Sequence, residues 1–293
     1  MWLTLAIIST LFIGVSTILS KIGIKDADAY VTGAVTNSVL LLAFVGTALF
    51  TGKFDQVPEM GMWTWISVGV SGLVLSVSWV FYFLGLKGGS VSVFLAIQSL
   101  TIVVSMILCA IFIKEKITIF MIIGTIMIIA GTLLMMDREE LSALKNKKIW
   151  QSDQRWILFA AISAVLASVS YVIVKADRAP IDTNVTSTFR YIIVVAFLWI
   201  VFLAKKKQSC FKEIAPKCWL FILLGAAASG AGHVLVYKAL FLGKAAVIMT
   251  IYRMGMVISI ILSRIFLKEK LGGRGWIGFA ILVAGVVLFA VGR

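Results

Sequence analysis

Five basic side chains fall inside apolar stretches long enough to cross a bilayer: Arg190, His233, Lys238, Arg253 and Arg264. No Asp or Glu lies well inside any such stretch. A charge at that depth is costly and usually faces a bundle interior or a wet cavity, where it meets a substrate or an ion. Guanidinium donates paired, charge-assisted hydrogen bonds to carboxylate and phosphate. An interior with basic groups and no carboxylate therefore suits an anionic ligand. Arg253 is the leading candidate, because it lies about nine residues into its stretch and so near mid-depth at 1.5 Å per residue. From there it is too deep to reach the interface cheaply. Arg190 lies nearer its helix start, where binding and anchoring are both open readings. His233, the single histidine, can relay protons with an ordinary pKa of about 6.5 or serve as a packing residue. Lys238 and Arg264 lie closer to helix ends and read as interfacial.

Polar and aromatic residues extend this set. Tyr252 precedes Arg253, and Gln98-Ser99 sits at a comparable depth in an earlier stretch. Trp79 and Tyr82 are three residues apart and share one helical face. Tyr171 and Asn37 are further candidates to face a cavity, each also readable as a packing residue.

The elements that must position these residues follow from composition. Of 293 residues, 61% are hydrophobic and 14% charged, with a mean hydropathy of +1.07. A soluble domain carries about 25% charged residues, so soluble folds are excluded. Three Pro and three Cys exclude collagen-like order and a disulfide scaffold. The net charge of +14 is spread singly and in short runs, which fits membrane flanks rather than a nucleic-acid surface. Cys109, Cys210 and Cys218 lack metal-ligand spacing. No phosphate-binding loop is present, and no cofactor is implied.

A spanning helix needs about 20 mostly apolar residues. Ten stretches qualify: Trp2–Ser20, Tyr30–Phe50, Trp63–Leu86, Val91–Ile113, Ile117–Met136, Trp156–Val174, Asn184–Ala204, Trp219–Leu242, Ala245–Leu267 and Trp276–Val291. The expected fold is thus an all-α integral membrane protein with ten transmembrane helices. The first stretch has no basic lead-in or cleavage site and is expected to stay in the chain. The polar segment 137–155 separates residues 1–136 from 156–293. These halves align without a gap at an offset of 154. Lys114-Glu115-Lys116 falls on Lys268-Glu269-Lys270, Gly124 on Gly278, Gly131 on Gly285, Lys21 on Lys175, Ser105 on Ser259 and Trp65 on Trp219. With an odd number of spans per copy, the second copy enters the membrane inverted. Two inverted five-helix repeats are a transporter architecture, with the site at their interface.

Each half runs from Phe83-Leu-Gly-Leu to Phe112-Ile-Lys-Glu-Lys and a Gly124…Gly131 helix, repeated as Tyr237-Lys-Ala-Leu to Phe266-Leu-Lys-Glu-Lys and Gly278…Gly285. This resembles the EamA family of the drug/metabolite transporter superfamily. The resemblance implies ten helices, two repeats and a Glu after the fourth helix of each. Gln98-Ser99 and Tyr252-Arg253 stand where relatives often have Pro. Arg253 also looks like one member of the basic pair in phosphate and nucleotide-sugar translocators, with Tyr252 replacing the other. Glu115 and Glu269, each between two lysines at a span end, are expected to tie loops to neighbouring helix ends.

The expected activity is secondary transport, by alternating access, of a small polar metabolite, leaning to an organic anion or amino acid. A coupling ion or exchanged metabolite would supply the drive. The alternative is multidrug or cationic-amine efflux; an enzyme or a channel lacks supporting motifs. The setting is the lipid bilayer of the cell membrane, as a monomer or homodimer. Family topology puts both termini in the cytoplasm, whereas the dense Lys/Arg of Arg138–Arg155 and Lys205–Lys217 would put those loops there instead.

Overall fold

In lipid every backbone N–H and C=O needs a partner within the protein, which leaves helices as the cheapest solution for long apolar runs. A computed structural model describes residues 2–145, 153–177, 179, 181–206, 211, 214–242, 248, 251–252 and 254–291. Among them the regular elements are helical throughout. They are α1 (Trp2–Lys25), α2 (Ala29–Phe50), α3 (Met62–Gly88), α4 (Val91–Gln98), α5 (Leu100–Leu108), α6 (Ile119–Met135), α7 (Arg138–Lys145), α8 (Arg155–Ala176), α9 (Thr183–Ala204), α10 (Pro216–Leu242), α11 (Gly255–Phe266) and α12 (Gly273–Val291). Eight described segments are long and apolar enough to span a membrane: α1, α2, α3, Val91–Ile113, α8, α9, Pro216–Val236 within α10, and α12. The other two expected spans correspond to the shorter apolar helices α6, with 17 residues, and α11, with 12.

Local chemistry sets the helix starts. Asp28 accepts the Tyr30 amide at 2.9 Å and Asp182 accepts that of Asn184 at 2.8 Å, so aspartates 154 residues apart cap α2 and α9. The span Val91–Ile113 runs through α4 and α5 with helical backbone angles at Ser99 between them (φ −65°, ψ −20°), and ends in a π-helical turn over Cys109–Ile113. The segment 137–155, expected as a plain polar linker, contains α7. There Asp137 Oδ1 accepts the Glu140 amide at 2.8 Å while Glu140 Oε2 accepts the Asp137 amide at 2.9 Å. This reciprocal pair is the capping box that D-x-x-E permits.

The main helix pairs each join one helix before residue 137 to one after 154: α1 with α10, α3 with α8, α6 with α12, and α2 with α9. Small residues set their separation. A Cβ on Gly131 would lie 2.6 Å from the Gly278 carbonyl oxygen, and one on Gly124 would lie 2.7 Å from that of Gly285. As numbering rises on α6 it falls on α12, so the two helices are antiparallel and in backbone contact. In the α3–α8 pair, Ser78 Oγ donates to the Ser163 carbonyl and Ser170 Oγ to that of Ser71, both at 2.9 Å. Leu42, Ile126, Ile200 and Phe266 face outward while Ser9, Ser71 and Ser168 are buried, the pattern expected of helices surrounded by lipid.

The bundle has two distinct ends. At one, a cavity of about 430 Å³ is lined by Ser92, Asp137, Arg138, Glu140, Glu269 and Arg274, among others. At the other, the start of α3, the end of α8 and the start of α9 enclose about 130 Å³.

Candidate functional site

Basic and aromatic side chains form a connected line from the smaller cavity toward α10. Arg190 of α9 lines that cavity with Thr64, Ser67, Asp177, Thr183 and Thr186. Its guanidinium lies 5.8 Å from the Tyr191 ring centroid. Tyr191 meets Phe44 of α2 at 4.9 Å, and Phe44 meets His233 of α10 edge-on at 6.2 Å. His233 Nδ1 is 2.8 Å from the Ser229 carbonyl oxygen, and its Nε2 is 3.3 Å from the Tyr252 hydroxyl. Because Nδ1 faces a carbonyl, it carries the proton, which leaves Nε2 of the neutral ring as acceptor for the Tyr252 hydroxyl.

Several buried polar atoms are left over. Arg190 Nε and Trp79 Nε1 are donors, and Asn37 Oδ1 and Thr36 Oγ1 can accept; none has a hydrogen-bond partner among the described residues. An unmade buried hydrogen bond costs about 1–3 kcal/mol. Groups of this kind persist where something else fills the bond. Asn37 spends its Nδ2 on the Gly33 carbonyl at 2.9 Å and keeps Oδ1 unmatched. Trp79 packs against the cluster that contains Phe44 and Tyr191. Two free donors thus border the same aromatic cluster as His233.

The other expected residues divide. Tyr82 joins an aromatic wall with Trp79 at 5.0 Å and Phe94 at 5.0 Å. Gln98 Nε2 donates to the Ala160 carbonyl at 3.3 Å, and Ser99 Oγ turns back to the Ala96 carbonyl at 2.5 Å. Both lie where α4 meets α5 within the span Val91–Ile113. Tyr171 is exposed, with the Lys175 ammonium 5.9 Å from its ring, so it lies toward the Glu115 end of α8. Arg253 lies outside the described residues. Arg264 stacks on Trp276 at 5.4 Å near a helix end. Phe44 and Tyr191, which bridge Arg190 to His233, escaped the sequence reading. For Tyr191 a signal existed in its place beside Arg190; Phe44, one of 19 phenylalanines, carried none.

Comparison with known proteins gives consistent results. The profile of the EamA-like transporter family matches residues 1–137 and 154–291. An uncharacterized transporter from Sinorhizobium is 30% identical over 138 residues, 47% of this chain and 98% of that protein. A WAT1-related protein of Arabidopsis thaliana is 22% identical over 291 residues, 92% of this chain and 82% of its own. A solved crystal structure superposes with a TM-score of 0.69 at 18% identity, covering 99% of this chain and 98% of that one; it shares the fold.

Proposed function

This chain belongs to the EamA-like transporter family, and we propose that it is a secondary transporter moving a small polar metabolite, an organic anion or amino acid, across the cell membrane. It does so by alternating access of two inverted five-helix repeats. The inverted arrangement is supported by the symmetric partner swap between α6 and α12. The offset of 154 sends Gly124 to Gly278 and Gly131 to Gly285, and Gly124 packs on Gly285 while Gly131 packs on Gly278. Two copies threaded the same way would not exchange partners so.

The observation that carries the substrate class is Arg190: a guanidinium with a buried, unmatched Nε, set between a polar cavity and an aromatic cluster. Spans that contain no Asp or Glu offer it no internal salt partner at that depth. Asp177 lines the mouth of the same cavity and would compete with an anion there. A carboxylate entering past Asp177 gains Arg190 and the Thr183 and Thr186 hydroxyls. Nothing in the chain resembles a nucleotide-driven motor, so the drive is a gradient or an exchanged metabolite.

The test is uptake of labelled amino acids and organic acids into sealed vesicles containing the full chain. Arg190→Gln and Arg253→Gln should each lower uptake of the accepted anion. The aromatic wall of Trp79, Tyr82 and Phe94 favours a second reading, efflux of a hydrophobic cation. Transport of a lipophilic cation that is indifferent to both substitutions would replace the first reading with the second.

A further inference from the structure

The chain's one histidine is held so that it can take up a proton without losing a hydrogen bond. His233 is half-buried and lies on the interior stripe of α10 with Ile222, Ala226, Ser229 and Val236, all buried. Glycines on either side bring α10 close to two helices. A Cβ on Gly230 would lie 3.1 Å from the Ala43 Cβ of α2, and one on Gly232 would lie 2.8 Å from Ile13 of α1. Both ring nitrogens have partners: the Ser229 carbonyl at 2.8 Å from Nδ1 and the Tyr252 hydroxyl at 3.3 Å from Nε2. The first bond is indifferent to charge, since Nδ1–H donates in the neutral ring and in the imidazolium. The second adapts: a hydroxyl that donates to Nε2 turns and accepts from Nε2–H. The imidazolium therefore keeps both bonds. It lacks only an opposite charge.

The charged groups in reach are all basic. No charged residue occurs in α2, which brings Phe44 to the ring. From α1 comes Ser9, whose carbonyl is 3.2 Å from a Cβ on Gly232. The lysines of α1, Lys21 and Lys25, lie beyond Ser20, which packs on Gly225, about 12 Å before His233 along α10. Lys238 of α10 is exposed. Arg190 acts electrostatically on His233 and connects to it through Tyr191 and Phe44. Tyr191 and Tyr252 are the other titratable side chains along that line, and Arg253, outside the described residues, is also basic. No Asp or Glu lies well inside any span. An imidazolium beside Arg190 thus has no counter-charge in the chain, and an anion on Arg190 supplies one.

We propose that His233 is the proton-coupling residue of this transporter: a proton binds Nε2 together with the anion at Arg190, and the two cross the membrane as one load. The proton comes from water on the loading side, forms the Nε2–H bond, and returns to water on the other side. A monovalent anion plus a proton adds no net charge. The loaded and the empty site therefore carry the same charge, whatever Arg253 contributes, and neither state adds a buried charge to the cost of the other. This rests on the anion-transport reading above and names what drives it, a proton gradient.

Because His233 is the only histidine, labelling histidine with nitrogen-15 gives a single pair of ring signals that report protonation and tautomer. The full chain, without a polyhistidine tag, is titrated in lipid nanodiscs across the neutral range, with and without saturating glutamate, succinate or gluconate. A bound acid should tighten proton binding at His233 about tenfold, and lowering the pH should tighten the acid by the same factor, because coupling between two sites is reciprocal. In sealed vesicles an acid-outside gradient should speed uptake of that acid several-fold. His233→Gln should bind the acid equally at every pH and lose the response to the gradient, and Tyr252→Phe should weaken the response. Should His233→Gln fail to fold, the titration of the wild-type chain decides alone. Ring protonation that is the same with and without a bound acid overturns the proposal, as does gradient-driven uptake by a folded His233→Gln chain. If an acid is carried in an Arg190-dependent way while either of those results holds, anion transport stands and the coupling alone falls. Uptake of none of the three acids removes the anion reading and the coupling together.

Discussion

The two halves of the chain share a skeleton and differ in their chemistry. The α6 and α12 glycines occupy equivalent positions, as do the capping Asp28 and Asp182 and the lysine-flanked Glu115 and Glu269. At the candidate site residues the equivalence breaks. Thr36 stands opposite Arg190, Trp79 opposite His233 and Gln98 opposite Tyr252. Positions that set helix separation cannot vary without losing backbone contact, whereas the candidate site positions are free of that constraint and differ between the halves. The first half supplies an aromatic wall and the second half supplies the basic groups.

The most forceful way to probe the shared skeleton is Gly131→Leu beside Gly278→Leu. Each puts a side chain where a bare Cβ would already lie 2.6–2.7 Å from its nearest neighbour. Both should destabilise by about 3 kcal/mol or abolish folding, read by thermal unfolding in detergent. Gly69→Leu, with open space at its Cβ, should be near neutral. Unequal effects at Gly131 and Gly278 would break the equivalence of the halves.

Next in size, the site should respond unequally. Arg190→Gln is expected to lower kcat/KM for the transported anion about tenfold to a hundredfold, the range for a charged hydrogen bond, while Thr36→Val at the equivalent position changes it less than twofold. Equal losses would mean that the basic half has no special role. Trp79→Phe keeps most of the ring and removes the unmatched N–H. It should raise KM about fivefold, near 1 kcal/mol, without lowering Tm. A rise in Tm with unchanged KM would make that N–H a packing cost only.

The smallest effect belongs to α7, in the segment with no counterpart. Burial, helped by nearby acidic groups, holds Glu140 above its ordinary carboxylate range, although its bond to the Asp137 amide pulls the other way. The folded chain then binds that proton more tightly than the unfolded chain does. Stability from this group is full at low pH and declines as pH rises from about 4.5 through the raised folded value. Glu140→Gln should flatten Tm against pH over that window, with a change of only a few degrees.

Much of the architecture was readable from residues. The span positions, the internal offset and the glycine pairs follow from hydropathy and spacing, and those glycines do meet across the halves. The π-helical turn over Cys109–Ile113 was not readable, because its residues are as apolar as the rest of the span, and α7 was hidden by a polar composition that also suits a linker. Among candidate site residues, Arg190 and His233 stood out because ionisable side chains are rare in membrane spans. Phe44 and the bond from the Ser92 hydroxyl, at the start of α4, to Glu269 did not, since each depends on which helices become neighbours across more than 140 residues of chain. Glu269 resembled an ordinary loop charge until the helix end it serves was known.

The helix pairing has a further consequence for how the protein is made. Every principal pair draws one member from each half. During translation the helices before residue 137 leave the ribosome well before their partners exist. At about 5–20 residues per second, the 154-residue offset corresponds to a delay of about eight to thirty seconds. Throughout it the Gly124–Gly131 face and the serines of α3 lack the helices that cover them in the finished bundle.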